Sequence, residues 1–274
     1  MKNFPTKLFA CYLGFSFIIL NLIMYSSLSS LWRSLKIIRQ FRAEEANQGV
    51  AVDEYFFYAI GTKEIGKYDK FTGERVAHWE ASNDQPIIHL DSGVIVGNCL
   101  YCAHSNYPNL PMVSSIEIWD TNTLEHIGNH SFGISEGSCT WVDRYDGYWW
   151  VCFAHYNEKG GYPEKDNRWT VLVKYDDSWR KIESWTFPPE VLSRFAPYSC
   201  SGGSWGSDGL LYCTGHDRKE LYVLRLPKMG SVLKLVKILP IQTPGQGIAW
   251  DRSEENILFS IHRKNKTVVV SRLN

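Results

Sequence analysis

The sequence predicts an all-β fold, specifically a five-bladed β-propeller preceded by an N-terminal hydrophobic helix. Three observations point there. Short runs of alternating hydrophobicity, rich in aromatic residues and broken by regular Gly, fill the chain, with 14% aromatic residues and eleven Trp. The stretch EGSCTWVDRYDGYWWVCFAH (136–155) reads as two strands joined at Asp146-Gly147, and QGIAWDRSEENILFSIH (246–262) repeats its plan. The last unit lacks a fourth strand, while a lone strand-like run, Leu35–Phe41, stands ahead of the first unit.

The units share one grammar, strand a, strand b, strand c, a tight turn and strand d. Unit one holds Gln48-Gly49-VAV, YFFYAI, EIGKYD and ERVAHW; unit two holds Ser92-Gly93-VIV, CLYCAH, SIEIWD and EHIGNHSF. Unit three runs through SCTWV, YWWVCFAH, WTVLVKYD and KIESWTF, and unit four through Gly203-SW, LLYCTGH, ELYVLRL and VLKLVKI. Unit five has only IAW, ILFSIH and TVVVSRL. Four-stranded antiparallel units repeating about every 40–50 residues are propeller blades. A closed ring needs its last blade completed from the other terminus, and Leu35–Phe41 is placed to do so, removing an open sheet edge. Phe187–Leu192 reads as a short helix or loop between blades; were it a strand region, six blades would result. Asp69, Asp120 and Asp176 end the third strands, where a carboxylate caps the backbone of a turn.

Residues 1–32 form a separate region ahead of the 33–274 propeller. The uncharged run from Leu8 to Leu31 is long enough to cross the ~30 Å hydrocarbon layer as a helix. It reads as an uncleaved membrane anchor, with a long signal peptide or a buried helix as alternatives. Lys2 and Lys7 flank one side and Arg33, Lys36, Arg39 and Arg42 the other, a slight bias toward a cytoplasmic propeller. The usual arrangement for a short anchor on a β domain is the reverse, so a single-pass protein with an extracytoplasmic propeller is expected. The balanced charge, 29 basic and 29 acidic residues, excludes the basic face that a nucleic-acid binder needs. The expected partners are a small-molecule or sugar-derived ligand and the membrane, with the chain a monomer. Cys139 and Cys152, like Cys200 and Cys213, flank hairpin turns and read either as cross-strand disulfides or as small buried residues.

In a propeller the starts of strands a and the ends of strands b meet at one face. Here the starts are Gln48, Ser92, Glu136, Ser201 and Gln246, each beside Gly. The ends are Thr62, His104, His155, His216 and His262, with His89 close by. A single His at a strand end is ordinarily a hydrogen-bonded surface residue; four equivalent ones suggest metal binding or proton sharing. The predicted divalent metal (Zn, Mn or Fe) would sit on His104, His155, His216, His262 and Gln246. A metal-free acid–base pocket and a structural rim are the alternatives. Glu136 and His155 are the candidate catalytic pair, since a carboxylate buried at the channel mouth has its pKa raised toward neutrality. Gln48, His89, Arg194, Tyr198 and Asp217 are the candidate substrate-binding residues. Tyr107 and Trp169 are rim aromatics suited to stacking on a ligand. No P-loop, GxGxxG, GxSxG or zinc-finger spacing is present.

The set QGVAVD, YAIG, GKYDKFTGERV, IEIWDTNTLEHIG, EGSCTWVDR, WWVCFAHY, SGGSWGSDGLLYCTGHD, ELYVLRLP and GQGIAWDRSE resembles an uncharacterised bacterial β-propeller family commonly labelled "cycloisomerase". The resemblance runs from about Ile37 to the end and implies lactone-forming or ring-opening chemistry. At the level of fold alone, His155, His216, His262 and Gln246 have the chemistry of the metal ligands in propeller lyases of acidic oligosaccharides. The expected function is a membrane-tethered enzyme of lyase or cycloisomerase/lactonase type acting on a small polar metabolite or sugar derivative. The alternative is a non-catalytic ligand- or protein-binding propeller.

Overall fold

The computed structural model describes residues 34–134, 136–158 and 160–274. The predicted N-terminal membrane helix lies outside the described residues, among which no helix is long and apolar enough to cross a membrane. The propeller has five four-stranded antiparallel sheets. Blade one is β2 (Gly49–Val52), β3 (Phe56–Ile60), β4 (Glu64–Asp69) and β5 (Arg75–Glu80). Blade two is β6 (His89–Val96), β7 (Cys99–Ser105), β8 (Ser114–Asp120) and β9 (His126–Gly133). Blade three is β10 (Ser138–Tyr145), β11 (Tyr148–Ala154), β12 (Val171–Tyr175) and β13 (Lys181–Thr186). Blade four is β14 (Gly202–Trp205), β15 (Leu211–Thr214), β16 (Glu220–Arg225) and β17 (Lys234–Pro240). Blade five is β18 (Ile248–Trp250), β19 (Ile257–His262) and β20 (Thr267–Leu273), with β1 (Leu35–Arg42) as its outer strand. β1 pairs with β20 from Leu35↔Leu273 to Arg42↔Thr267, so the chain enters at the end of a third strand.

Burial follows position in the blade. β2 and β14 are buried at every residue, whereas the outer β1, β5 and β9 alternate between more and less exposed residues. An inner strand is covered on both faces and so tolerates continuous apolar or small residues; an outer strand is covered on one. Five apolar clusters fill the seams between neighbouring blades. The largest lies between blades three and four and joins Trp141, Trp150 and Trp185 to Trp205, Leu211 and Tyr222. It also takes up Val191, Leu192 and Phe195 of α1 (Pro189–Phe195). The Phe187–Leu192 stretch therefore closes a seam and founds no sixth blade.

The turns show why the chain folds back where it does. Asp69, Asp120 and Asp176 each accept backbone N–H groups from the c–d turn, Asp69 from Phe71 and Thr72 at 2.9 and 2.7 Å. Asp146 and Gly147 both have positive φ, 50° and 76°, the pair that a two-residue hairpin of native twist requires. The six described cysteines are all free. Cys139 stands opposite Phe153 and Cys152 opposite Trp141, so the hairpin does not present the two thiols to each other. Cys152, Cys200 and Cys213 pack in the seam of blades three and four, where the Trp141 indole donates to Cys200 Sγ at 3.3 Å.

The face of the a–b turns is held by paired charges. Lys70, 1% exposed, donates to Asp251 at 2.8 Å and to Ser253 at 2.8 Å, tying blade one to blade five. Asp143 takes Arg252 at 2.9 Å and the backbone N–H of Trp205 at 2.7 Å, tying blade three to blades four and five.

Candidate functional site

The inner strands converge so closely at their starts that backbone closes the ring axis. A Cβ on Gly247 would lie 2.6 Å from Gly49 Cα, and one on Gly49 would lie 2.6 Å from Ser92 Cα. Gly202 packs on the Gln246 carbonyl in the same way, where a Cβ would stand at 2.4 Å. The glycines beside the strand starts are thus required by close approach, and they form the floor of a bowl. Its walls are the ends of the second strands and the b–c loops. Two of those loops lean on each other: Met112 N–H donates to Tyr162 at 2.9 Å, and Gly160 sits against the Tyr107 ring.

Asp91 is the residue that this geometry singles out. The β6–β7 register runs Leu90↔His104 and then Gly93↔Cys102, so Asp91 and Ser92 face a single residue, Ala103. Such a bulge re-aims side chains, and bulges favour active sites for that reason. Asp91 is 5% exposed, and among the described residues it forms an ion-pair contact with His89 Nε2, at 3.6 Å. Burial raises the Asp91 carboxyl well above its ordinary range, an effect that the positive charge of Arg263 opposes. Burial likewise pushes His89 down to about 4, helped by His104 and Arg263. Both groups are therefore driven toward their neutral forms. The Tyr107 ring lies 5.2 Å from His89, and the Tyr156 ring 5.1 Å from Tyr107. Burial raises both phenols, most strongly Tyr156, with Asp91 adding to it at Tyr156 and Tyr198 and then Asp91 at Tyr107.

Arg263 lies across the bowl, in the 3-10 turn Arg263–Asn265 that follows β19. Its Nη1 meets His216 Nε2 at 2.9 Å and its Nε meets Asn47 Oδ1 at 3.4 Å. A guanidinium only donates, so Nε2 of His216 is the acceptor and Nδ1 carries the proton, donated to Asp217 at 2.5 Å. Burial lowers the His216 pKa, partly offset by Asp217, in keeping with a neutral ring. Tyr198 stacks on that ring at 3.9 Å. Gln48 and Asn47 both donate to Thr62 Oγ1, at 3.2 and 3.3 Å.

Several predicted site residues are placed otherwise. The Glu136 side chain turns to Lys181 on β13, with which it pairs at 2.7 Å, and only its backbone carbonyl meets His155 Nε2, at 3.0 Å. Glu136 and His155 therefore do not form a carboxylate–imidazole pair. His104 accepts from Ile88 N–H at 3.0 Å and donates to Ser115, which passes the chain to Glu117 and His126 along the blade. Arg194, on α1, pairs with Glu220 at 2.7 Å. The predicted ligands His104, His155, His216, His262 and Gln246 are not brought together as one metal-holding set. Among the described residues no three or more His, Cys, Asp or Glu are placed to hold one. His104 has both ring nitrogens engaged, and Nε2 of His216 faces a guanidinium. Nδ1 of His155, Nδ1 of His262 and Nε2 of Gln246 are buried without partners among the described residues. Gln246 also sits at φ 96°, a strained backbone for a residue with a side chain.

Asp91, Tyr156 and Arg263 escaped the sequence reading, though each adjoins a residue that it flagged. Tyr156 follows His155 and Arg263 follows His262, and successive residues at a strand end point to opposite sides. Asp91 precedes Ser92, and only the bulge turns it inward.

No protein-family model and no curated protein matches the sequence. Among solved structures, the glutaminyl cyclase of Myxococcus xanthus superimposes with a TM-score of 0.60 at 11% identity, over 88% of this chain and 97% of that one. The PQQ-bound aldose sugar dehydrogenase of Streptomyces coelicolor does so with a TM-score of 0.55 at 9% identity, over 88% and 98%. Neither carries a cycloisomerase label. What the chain shares with these bacterial proteins is the β-propeller fold, on which its own bowl of Asp91, His89, Tyr107, Tyr156, His216 and Arg263 is built.

Proposed function

We propose that the chain is a membrane-tethered propeller enzyme moving a proton on a small polar metabolite or sugar derivative, in a reaction of lyase, cycloisomerase or lactonase type. One observation carries this reading: Asp91 is a buried carboxyl at a bulge on the bowl side, whose ion-pair partner among the described residues is the His89 imidazole, at 3.6 Å. An unpaired buried carboxyl is costly to keep for structure alone. Raised toward neutrality, it is suited to give a proton in one half of a reaction and take it back in the other. His89, held neutral, is the partner through which that proton is shared. Tyr107 and Tyr156 cover the pair and limit water around it. The first structural neighbour is named as a cyclase, a ring-forming enzyme, which fits the reaction type.

Tethering would come from residues 1–32, with the propeller extracytoplasmic. Protease added to intact cells making the full chain should then reach the propeller; protection until lysis would place it on the cytoplasmic side.

The test of the chemistry uses the full-length chain in deuterated water with a panel of hydroxy acids, sugar acids and their lactones, followed by proton NMR. Exchange or turnover of one class is expected, and Asp91→Asn should slow it by roughly a hundredfold or more. An Asp91→Asn protein as active as the parent would refute Asp91 as the proton carrier. Ligand binding with no exchange in the parent would favour the non-catalytic propeller.

A further inference from the structure

We propose that Arg263 seats the substrate's carboxylate, so that the bowl takes monoanionic carboxylic acids with the reacting carbon on the Asp91 side. This rests on reading the bowl as the reactive site and adds the class of compound it accepts.

Arg263 is a partly buried guanidinium without a counter-ion. Its two protein partners, His216 Nε2 and Asn47 Oδ1, are neutral acceptors. Among the described residues no carboxylate pairs with it, and its Nη2 has no partner. The nearby carboxylate of Asp217 is spent on the far nitrogen of His216. That arrangement fixes the ring tautomer and aims the guanidinium without neutralising it. Tyr198 holds the imidazole from its face, so the Arg263 partner is itself clamped. A half-buried cation that is positioned but not neutralised leaves its charge for a ligand, and a guanidinium edge matches a carboxylate through two parallel hydrogen bonds.

The surroundings select the charge. Among the described residues Arg263 is the cation whose charge acts on Asp91, Tyr107 and His216, and beside His104 it also acts on His89, both imidazoles being held neutral by burial; Lys165 acts further along the rim, on His155. One positive charge facing phenols, neutral imidazoles and a carboxyl suits a single negative charge. A dianion such as phosphate would carry a second negative charge that a single guanidinium leaves unbalanced. A cationic ligand would meet Arg263 itself. With the carboxylate on Arg263, the rest of an acid extends toward Asp91 and His89, under the tyrosines.

Calorimetric titration of the full-length chain at pH 7 with acetate, lactate and gluconate, their neutral amides, and inorganic phosphate tests the assignment. At least one carboxylate should bind where its amide does not, and Arg263→Gln should weaken it by about tenfold or more. Arg263→Lys, which keeps the charge and loses the fork, should recover part of the loss. Melting curves of both variants confirm that they fold. The assignment is overturned if no carboxylate binds, if amides bind as well as acids, if phosphate binds more tightly, or if Arg263→Gln binds as the parent does. Asp91→Asn should retain carboxylate binding while losing exchange. Normal exchange in that variant would remove the acid–base reading and leave the carboxylate seat standing.

Discussion

Replacing His89 with Gln should flatten the acid side of the stability profile. His89 titrates at about 4 in the folded chain because burial, His104 and Arg263 all disfavour its charged form. The unfolded chain takes up that proton near the ordinary 6.5. A depressed folded pKa means stability that is full above 6.5 and is lost as pH falls toward 4, since the unfolded state then binds the proton first. At about 1.4 kcal/mol for each tenfold difference in proton affinity, the loss comes to about 3 kcal/mol. Its side chain is only 18% exposed, so solvent screening trims this figure little. For a domain of this size that is roughly 6–12 °C in melting temperature. The assay is thermal unfolding of parent and His89→Gln at half-unit steps from pH 7.5 to 4. Other buried imidazoles contribute to the parent's slope, so the difference between the two curves is the quantity read. The difference should shift in favour of the variant by about 3 kcal/mol between the two ends. Parallel curves would show that His89 titrates alike in both states, and the argument for a neutral, desolvated His89 would fall with it.

Two further predictions concern the frame around the bowl. Lys70→Met leaves Asp251 buried without its cation, and breaking a buried pair from one side costs about 3–5 kcal/mol; urea unfolding of Lys70→Met, Asp251→Asn and the double variant should show the double losing less than the sum of the singles. Gly247→Ala would place a methyl 2.6 Å from Gly49 Cα at the floor of the bowl. Overpacking of this kind costs about 1–3 kcal/mol, and the same substitution at Gly128 on β9, where a Cβ meets nothing within 4 Å, is the control for replacing a glycine without overpacking.

The propeller was legible because its signals are local and repeated. The Asp at three of the c–d turns and the Gly beside each inner strand start recur in register, and repetition turns weak patterns into a ring of five. The site was legible only as to its face. Equivalence between blades put Glu136 beside His155 and made one set of His104, His155, His216 and His262, but side-chain direction does not follow from equivalence. Glu136 finds Lys181 on the outer strand of its own blade, and His104 finds Ser115 on the next strand. Both are tertiary choices with no trace in the spacing. The bulge at Asp91-Ser92 is a sharper case. It adds a residue to a period-two strand, so counting along the strand assigns Asp91 to the wrong side. That is the means by which the fold turns a carboxylate inward where its pattern would otherwise place an apolar residue.

The two faces of the ring treat buried charge in opposite ways, a contrast that favours the bowl as the proposed working face. On the a–b turn face, Lys70 meets Asp251 and Arg252 meets Asp143, each pair closed at 2.8–2.9 Å and backed by further hydrogen bonds. Charges kept for architecture are paired across blade seams in this manner. In the bowl, the Asp91 carboxyl and the Arg263 guanidinium do not pair, although the positive charge of Arg263 opposes the burial that raises Asp91. Each is instead provided with neutral neighbours, His89 for one and His216 with Asn47 for the other. Had stability been the sole demand, a direct ion pair would satisfy both groups at once. Leaving them unpaired costs stability in the empty protein, and under the proposed function an anion with an exchangeable proton would bridge them. Such a bridge would neutralise Arg263, withdraw its pull on Asp91 and His89, and ease proton uptake by both at the moment of binding.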